Sequence, residues 1–233
     1  FEHSDSELGQ SYVVPTSATP VSSPRWIAWN TALAQELQWP QPWSHSDEAL
    51  AALAGNGQFE SSRPGASVYA GHQFGSFNPQ LGDGRALLLG EWRNSQGGLC
   101  DIQLKGAGPT PYSRGGDGRS PVGPVVREYL MSEAMHALGV PTSRALAAIA
   151  TGDPVYRQQR EPGAVLTRVA SSHLRIGTVQ FFAMTRRGEG LDELVTYATE
   201  RHYKAALDTA RAQDPKITCA QVLLDEVSKA LAA

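Results

Sequence analysis

The 233-residue chain is 41% hydrophobic and 18% charged, a balance that suits a globular protein with a sizeable core. Its formal net charge of −3 excludes a global basic field for nucleic acid, and no apolar run approaches the roughly 20 residues that span a bilayer. Two cysteines, Cys100 and Cys219, without CxxC spacing or a Cys/His cluster, argue against structural zinc and for a reducing, cytoplasmic setting.

Residues 1–66 are rich in proline and serine and are expected to form a wrapping segment. It holds one short helix within 29–37 and a second over 47–54, stopped by Gly55. The first ten residues are polar and acidic, unlike a signal peptide. The chain opens on Phe1 and closes in a helical pattern with no glycine or proline stop, so it is expected to be a fragment of a longer protein.

Residues 67–123 are expected to be strands and glycine loops. An apolar run over 86–92, a turn at 94–98 and an alternating run over 99–104 form a hairpin that delivers Lys105 at its end. The next stretch, 106–123, holds six glycines and three prolines and is irregular. A helix covers 125–138, with Pro124 in its first turn and Gly139 as its stop. Leu130, Ala134, Ala137 and Leu138 are expected to form its buried face, with Glu128 on an adjacent one. Strands over 144–151 and 163–170 follow, joined by a turn. Helices from 191 onward come in two segments parted near Asp214-Pro215. The fold class is α+β, divided into 1–66, a sheet-rich part over 67–189 and a helical part over 190–233.

The tetrapeptide Gly-Asp-Gly-Arg occurs twice, at Gly82-Asp83-Gly84-Arg85 and at Gly116-Asp117-Gly118-Arg119. Between the copies stands Lys105, the only lysine before Lys204. Glycine turns let backbone N–H groups approach an anion closely, and a lysine and arginines neutralise it, so the set suits the phosphates of a nucleotide. The same Gly-Asp-Gly wording is also common in plain tight turns. Glu128, on the following helix, has two readings: an ion-pair partner for Lys105, or a solvated helix glutamate. Arg168 and Arg175, seven apart, are candidate phosphate grips, with Arg168 among apolar residues of a strand. No Walker loop is present, and no GxGxxG opens a helix after a strand. The histidines do not cluster as metal ligands, and Phe74 and Phe77 are expected in the core.

Longer blocks carry a resemblance. Tyr69-Ala70-Gly71-His72-Gln73-Phe74-Gly75, Asn78-Pro79-Gln80-Leu81-Gly82-Asp83-Gly84-Arg85-Ala86, Asp101-Ile102-Gln103-Leu104-Lys105-Gly106, Thr110-Pro111-Tyr112-Ser113-Arg114 and Ser132-Glu133-Ala134-Met135-His136-Ala137-Leu138-Gly139 resemble the selenoprotein O family from about residue 10 to about 205. The resemblance implies a protein-kinase-like fold, here the sheet-rich nucleotide-binding lobe and the start of a truncated helical lobe. It implies transfer of AMP from ATP to Ser, Thr or Tyr hydroxyls of protein substrates, with pyrophosphate released and ATP inverted relative to ordinary kinases.

By the same resemblance, Gly82, Gly84, Arg85, Lys105, Asp117, Gly118, Arg168 and Arg175 contact the nucleotide and Glu128 is the ion-pair partner of Lys105. Pro109 and the stretch 120–126 depart from the family wording, which has basic residues there. The catalytic aspartate and the ligands of Mg2+ are expected beyond residue 233; no asparagine follows Asn94. The chain alone is therefore expected to be inactive. Alternatives on the same fold are a phosphotransferase and a non-catalytic nucleotide-binding regulator.

Overall fold

Side-chain caps open the first two helices. Asn30 Oδ1 accepts from the Leu33 N–H at 3.0 Å to start α1 (Thr31–Glu36), and Ser46 Oγ accepts from the Ala49 N–H at 3.0 Å to start α2 (Asp47–Ala54). Gly55, at φ +92°, ends α2 in the left-handed conformation that glycine tolerates best. The computed structural model describes residues 1–4, 8, 12–185 and 188–232.

Two strands of the N-terminal segment, β1 (Val13–Pro15) and β2 (Arg25–Trp29), form the opposite edges of one antiparallel sheet. Between them lie β3 (Gly65–Ser67), β6 (Ala86–Arg93), β7 (Leu99–Lys105), β9 (Arg144–Tyr156) and β10 (Arg160–Ala170), in the order β1, β3, β6, β7, β10, β9, β2. The short β8 (Ser120–Pro121) pairs with β10 off this path, and β4 (Gly71–Gln73) pairs with β5 (Ser76–Asn78) in a separate hairpin. The helices α3 (Val122–Ala137), α4 (Ile176–Met184), α5 (Gly188–His202), α6 (Lys204–Gln213) and α7 (Cys219–Ala232) complete the architecture, which is α+β.

Alternation along β7 divides its side chains between two faces. Ile102 and Leu104 join the main core with Leu33, Leu53, Leu87, Ile149 and Val165. Asp101, Gln103 and Lys105 turn to the other face. There a smaller cluster, Val125, Ala145, Ala148, Ala164 and Leu166, seats α3 on the sheet.

The structure departs from expectation in five places. The β9–β10 hairpin is longer than 144–151 and 163–170: Pro154 and Pro162 pair across the ladder, and a register shift between Pro162 and Ala164 absorbs the irregularity. The expected buried face of α3 is exposed, with Leu130 at 60% and Leu138 at 77%. Val125 and Ser132 are buried instead, because the small residues of β9 and β10 admit that side of the helix. The helix α4 adds an element that the sequence does not announce, since its β-branched and aromatic residues carry no helical signature. The C-terminal helices are interrupted at Tyr203 as well as near Asp214. Phe74 and Phe77 lie on the β4–β5 hairpin, Phe74 fully exposed, rather than in the core.

Candidate functional site

Lys105 ends β7 on the polar face of the sheet, opposite Ala86 of β6 on one side and Leu166 of β10 on the other. Arg168 comes from β10, facing Gln103 in register. Glu128, on the inward side of α3, serves both cations: one carboxylate oxygen accepts from Lys105 Nζ and the other from Arg168 Nε. Of the two readings of Glu128, the ion pair is the one found. Burial lowers the Lys105 pKa and the neighbouring Arg168 lowers it further, against the opposing pull of Glu128. Burial pushes the Glu128 carboxyl up, but Arg168 and Lys105 together hold it below its ordinary value.

The two glycine loops are bound to each other. Thr110 Oγ1 donates to the Asp83 carbonyl at 2.6 Å, and Ser113 Oγ donates to the Gly84 carbonyl. Gly84 has no room for a methyl group, since a Cβ there would stand 2.8 Å from the Tyr112 carbonyl oxygen. Gly118 combines φ +63° with a Cβ position 1.9 Å from the Gly108 carbonyl oxygen, so the second loop closes only on glycine. Gly106 N–H donates to the Arg85 carbonyl at 2.8 Å and ties the end of β7 to the first loop. Asp117 is held by Arg157 from the β9–β10 turn, and this guanidinium keeps its carboxyl below the usual range.

Arg175, which caps α4, lies over the Tyr69 ring at 4.8 Å from its centroid. Burial, then the nearby Asp83 carboxyl, pushes the Tyr69 hydroxyl up to about 12. Asp83 is itself buried, and its carboxyl is raised by that burial despite Arg175 and Tyr69.

These parts enclose a cavity of about 410 Å³. Gly82, Gly84, Arg85, Lys105, Asp117, Gly118, Arg168 and Arg175 all line it, and Glu128 stands behind Lys105. Tyr69, Asp83, Arg114, Arg119 and Arg157 line it too. A larger cavity of about 850 Å³, lined in part by Ser4, Arg93, Glu193 and Arg201, lies away from this cluster.

The match to known proteins is extensive. A family model described as "Protein adenylyltransferase SelO" covers residues 1–232. The chain belongs to the SelO family. The "Protein nucleotidyltransferase YdiU" of Maridesulfovibrio salexigens is 55% identical over 204 residues, covering 87% of this chain and 41% of that protein. Its counterpart in Ruegeria sp. is 53% identical over 216 residues, covering 91% and 45%. That of Alkalilimnicola ehrlichii is 47% identical over 232 residues, covering 100% and 46%. The chain thus spans less than half the length of these curated relatives.

Sequence reasoning passed over Arg157, Tyr69, Asp83 and Arg114 as pocket residues. Tyr69, Asp83 and Arg114 belong to the family-like motifs, but nothing local tells which side chain of a motif faces a cavity. Arg157 lay in a stretch read as a plain turn, and only the β9–β10 pairing brings it to the second glycine loop. Among the described residues, no helix is long and apolar enough to cross a membrane. No group of three His, Cys, Asp or Glu side chains among them is arranged to hold a metal ion.

Proposed function

We propose that the cavity holds ATP and that the chain is the nucleotide-binding part of a protein adenylyltransferase with a protein-kinase-like fold, acting in the cytoplasm. In this reading 67–189 form the nucleotide-binding lobe, 1–66 wrap it and 190–233 begin a helical lobe. The observation that carries the reading is convergence. Eight residues scattered from Gly82 to Arg175 line one cavity, with a lysine–glutamate pair at its base. The names of the family and of its relatives agree with nucleotidyl transfer.

Lys105, Arg85, Arg168 and Arg175 neutralise the triphosphate and orient it, and the glycine loops let it approach the backbone. In AMP transfer a hydroxyl oxygen of a protein Ser, Thr or Tyr bonds to the α-phosphorus. The bond from that phosphorus to the bridging β-oxygen breaks, the hydroxyl proton passes to a base, and pyrophosphate leaves. Cations fixed beside the phosphates stabilise the charge that develops on the leaving oxygens. The base belongs, in this reading, beyond residue 233. So, in the same reading, do the ligands of the Mg2+ expected to accompany ATP; the nearby Asp117 is held by Arg157. The role of this chain is to bind and orient.

Calorimetric titration with ATP tests the site: Lys105→Ala is expected to weaken binding by roughly tenfold or more. An unchanged affinity removes Lys105 from the site. Incubation with α- or γ-labelled ATP tests the chemistry. The chain alone is expected to label no protein, and the complete protein to transfer only the α-label. Transfer of the γ-label makes it a phosphotransferase instead.

A further inference from the structure

Three of the pocket cations fall into two groups, Lys105 with Arg168 on the sheet and Arg175 over Tyr69. A buried amide and a buried carboxyl join them. Gln103 is fully buried and Asp83 is 4% exposed. Gln103 Oε1 accepts from Arg168 Nη1 at 3.1 Å, while Gln103 Nε2 donates to Asp83 Oδ2 at 3.2 Å. The amide therefore has one orientation. Turned over, its NH2 group would face a guanidinium and its oxygen a carboxylate. Asp83 Oδ2 also accepts from the Ser67 N–H at 3.4 Å, and the Asp83 carboxyl faces the Tyr69 hydroxyl and Arg175. Hydrogen bonds thus run from Glu128 through Arg168 and Gln103 to Asp83, and the Asp83 carboxyl lies beside the Tyr69 side chain over which Arg175 stacks.

We propose that Gln103 and Asp83 are positioning residues that fix Arg168 and Arg175 as one unit for the nucleotide phosphates. This deepens the ATP reading and rests on it. Gln103 does not line the cavity, so it acts through Arg168. An arginine left free gives up rotamer entropy when it is ordered. Fixing both guanidinia before the ligand arrives removes that cost from binding. The polar chain also makes the two arginines answer to each other, because a shift of Arg168 breaks the contact that orients Gln103 toward Asp83. A glutamine present only to fill the core would influence nucleoside and nucleotide binding alike.

The test titrates the chain with ATP and with adenosine, which lacks phosphates, and follows folding by thermal melting. Gln103→Met keeps the length of the side chain and removes both hydrogen bonds. It is expected to weaken ATP binding roughly tenfold while adenosine affinity stays within about twofold. Asp83→Asn keeps an acceptor for Gln103 but removes the charge facing Arg175. The same split is expected, and most of it should vanish in an Arg175→Ala background. Equal losses for ATP and adenosine, or no loss for ATP, overturn the proposal. Asp83→Asn decides it if Gln103→Met does not fold. A parent chain that binds ATP no better than adenosine overturns the nucleotide-phosphate reading itself, and this proposal with it.

Discussion

Arg157 grips Asp117 with both terminal nitrogens, at 2.8 and 2.9 Å, joining the turn between β9 and β10 to the second glycine loop. The same guanidinium also donates to the Arg119 carbonyl at 2.9 Å, so it fixes the loop backbone as well as the carboxylate. Both side chains are more than a third exposed, which limits the pair to about 1 kcal/mol of stability. Arg157→Ala is therefore expected to leave the denaturant midpoint nearly unchanged and to weaken ATP binding several-fold. Arg157→Lys keeps the charge without the planar fork and should recover only part of the loss. Paired urea and ATP titrations check both.

A different arginine is expected to matter for stability alone. Arg201 of α5 reaches the buried carboxylates of Glu91 and Asp101, which stand directly opposite each other on β6 and β7. Glu91 is fully buried and the Arg201 side chain is 7% exposed. Removing the cation leaves two acids facing each other out of water. Arg201→Met should lower the unfolding free energy by roughly 3–5 kcal/mol. A loss below about 1 kcal/mol in denaturant unfolding would show that the pair is solvated in solution.

Two of the loop positions with positive φ, Gly118 and Arg114, should differ in what they do to stability. At Gly118, a methyl group meets the Gly108 carbonyl and the φ is strained for any L-residue. Gly118→Ala is expected to cost on the order of 2 kcal/mol and to abolish tight ATP binding by displacing the loop. Arg114 already carries φ +50° with a full side chain, and it lines the cavity. Arg114→Gly relieves that strain and should hold stability within about 1 kcal/mol, yet it should weaken ATP binding several-fold by removing a cation. Melting curves with and without ATP separate the two outcomes.

The sequence made the parts of the site visible and left their connections hidden. The strand that carries Lys105 and the helix that carries Glu128 follow from alternation and from Pro124 and Gly139, and the family wording singles out the arginines. The shared use of Glu128 by Lys105 and Arg168 depends on β7 and β10 lying side by side, a pairing between residues about sixty apart that no local pattern encodes. The α3 face was misread for a related reason. Apolar periodicity marks a stripe of side chains, but which stripe is buried depends on what the sheet offers, and β9 and β10 offer alanines and charges.

Acid should unfold the protein in a way that these contacts dictate. Burial pushes Glu128, Glu133 and Asp101 up, but partners outweigh it: Arg168 and Lys105 for Glu128, Arg144 for Glu133, His173 and Arg201 for Asp101. Each folded pKa is thus depressed below the ordinary 4.5 of glutamate or 3.8 of aspartate. Their stabilisation is complete above those values and is lost as pH falls through the lower folded ones. Asp83 runs the other way. Burial raises its carboxyl, so its contribution grows as pH falls from the raised value toward 3.8. Unfolding free energy should therefore drop below about pH 4.5, and Asp83→Asn, which lacks the offset, should drop more steeply. Urea midpoints between pH 3 and pH 7 measure this.

The helix α3 turns Leu130, Met131 and Leu138 outward, and beside the small apolar contact made by Val125 it reaches the rest of the molecule through two carboxylates. Glu128 meets Lys105 and Arg168; five residues on, Glu133 meets Arg144, the Ala145 N–H and Asn30 Nδ2. Its rotational setting over the sheet is therefore held by ion pairs as well as by apolar packing. A helix mounted this way transmits position along its length. Disturbing Arg144 is therefore expected to shift Glu128, and with it the one lysine of the pocket, without touching the pocket wall.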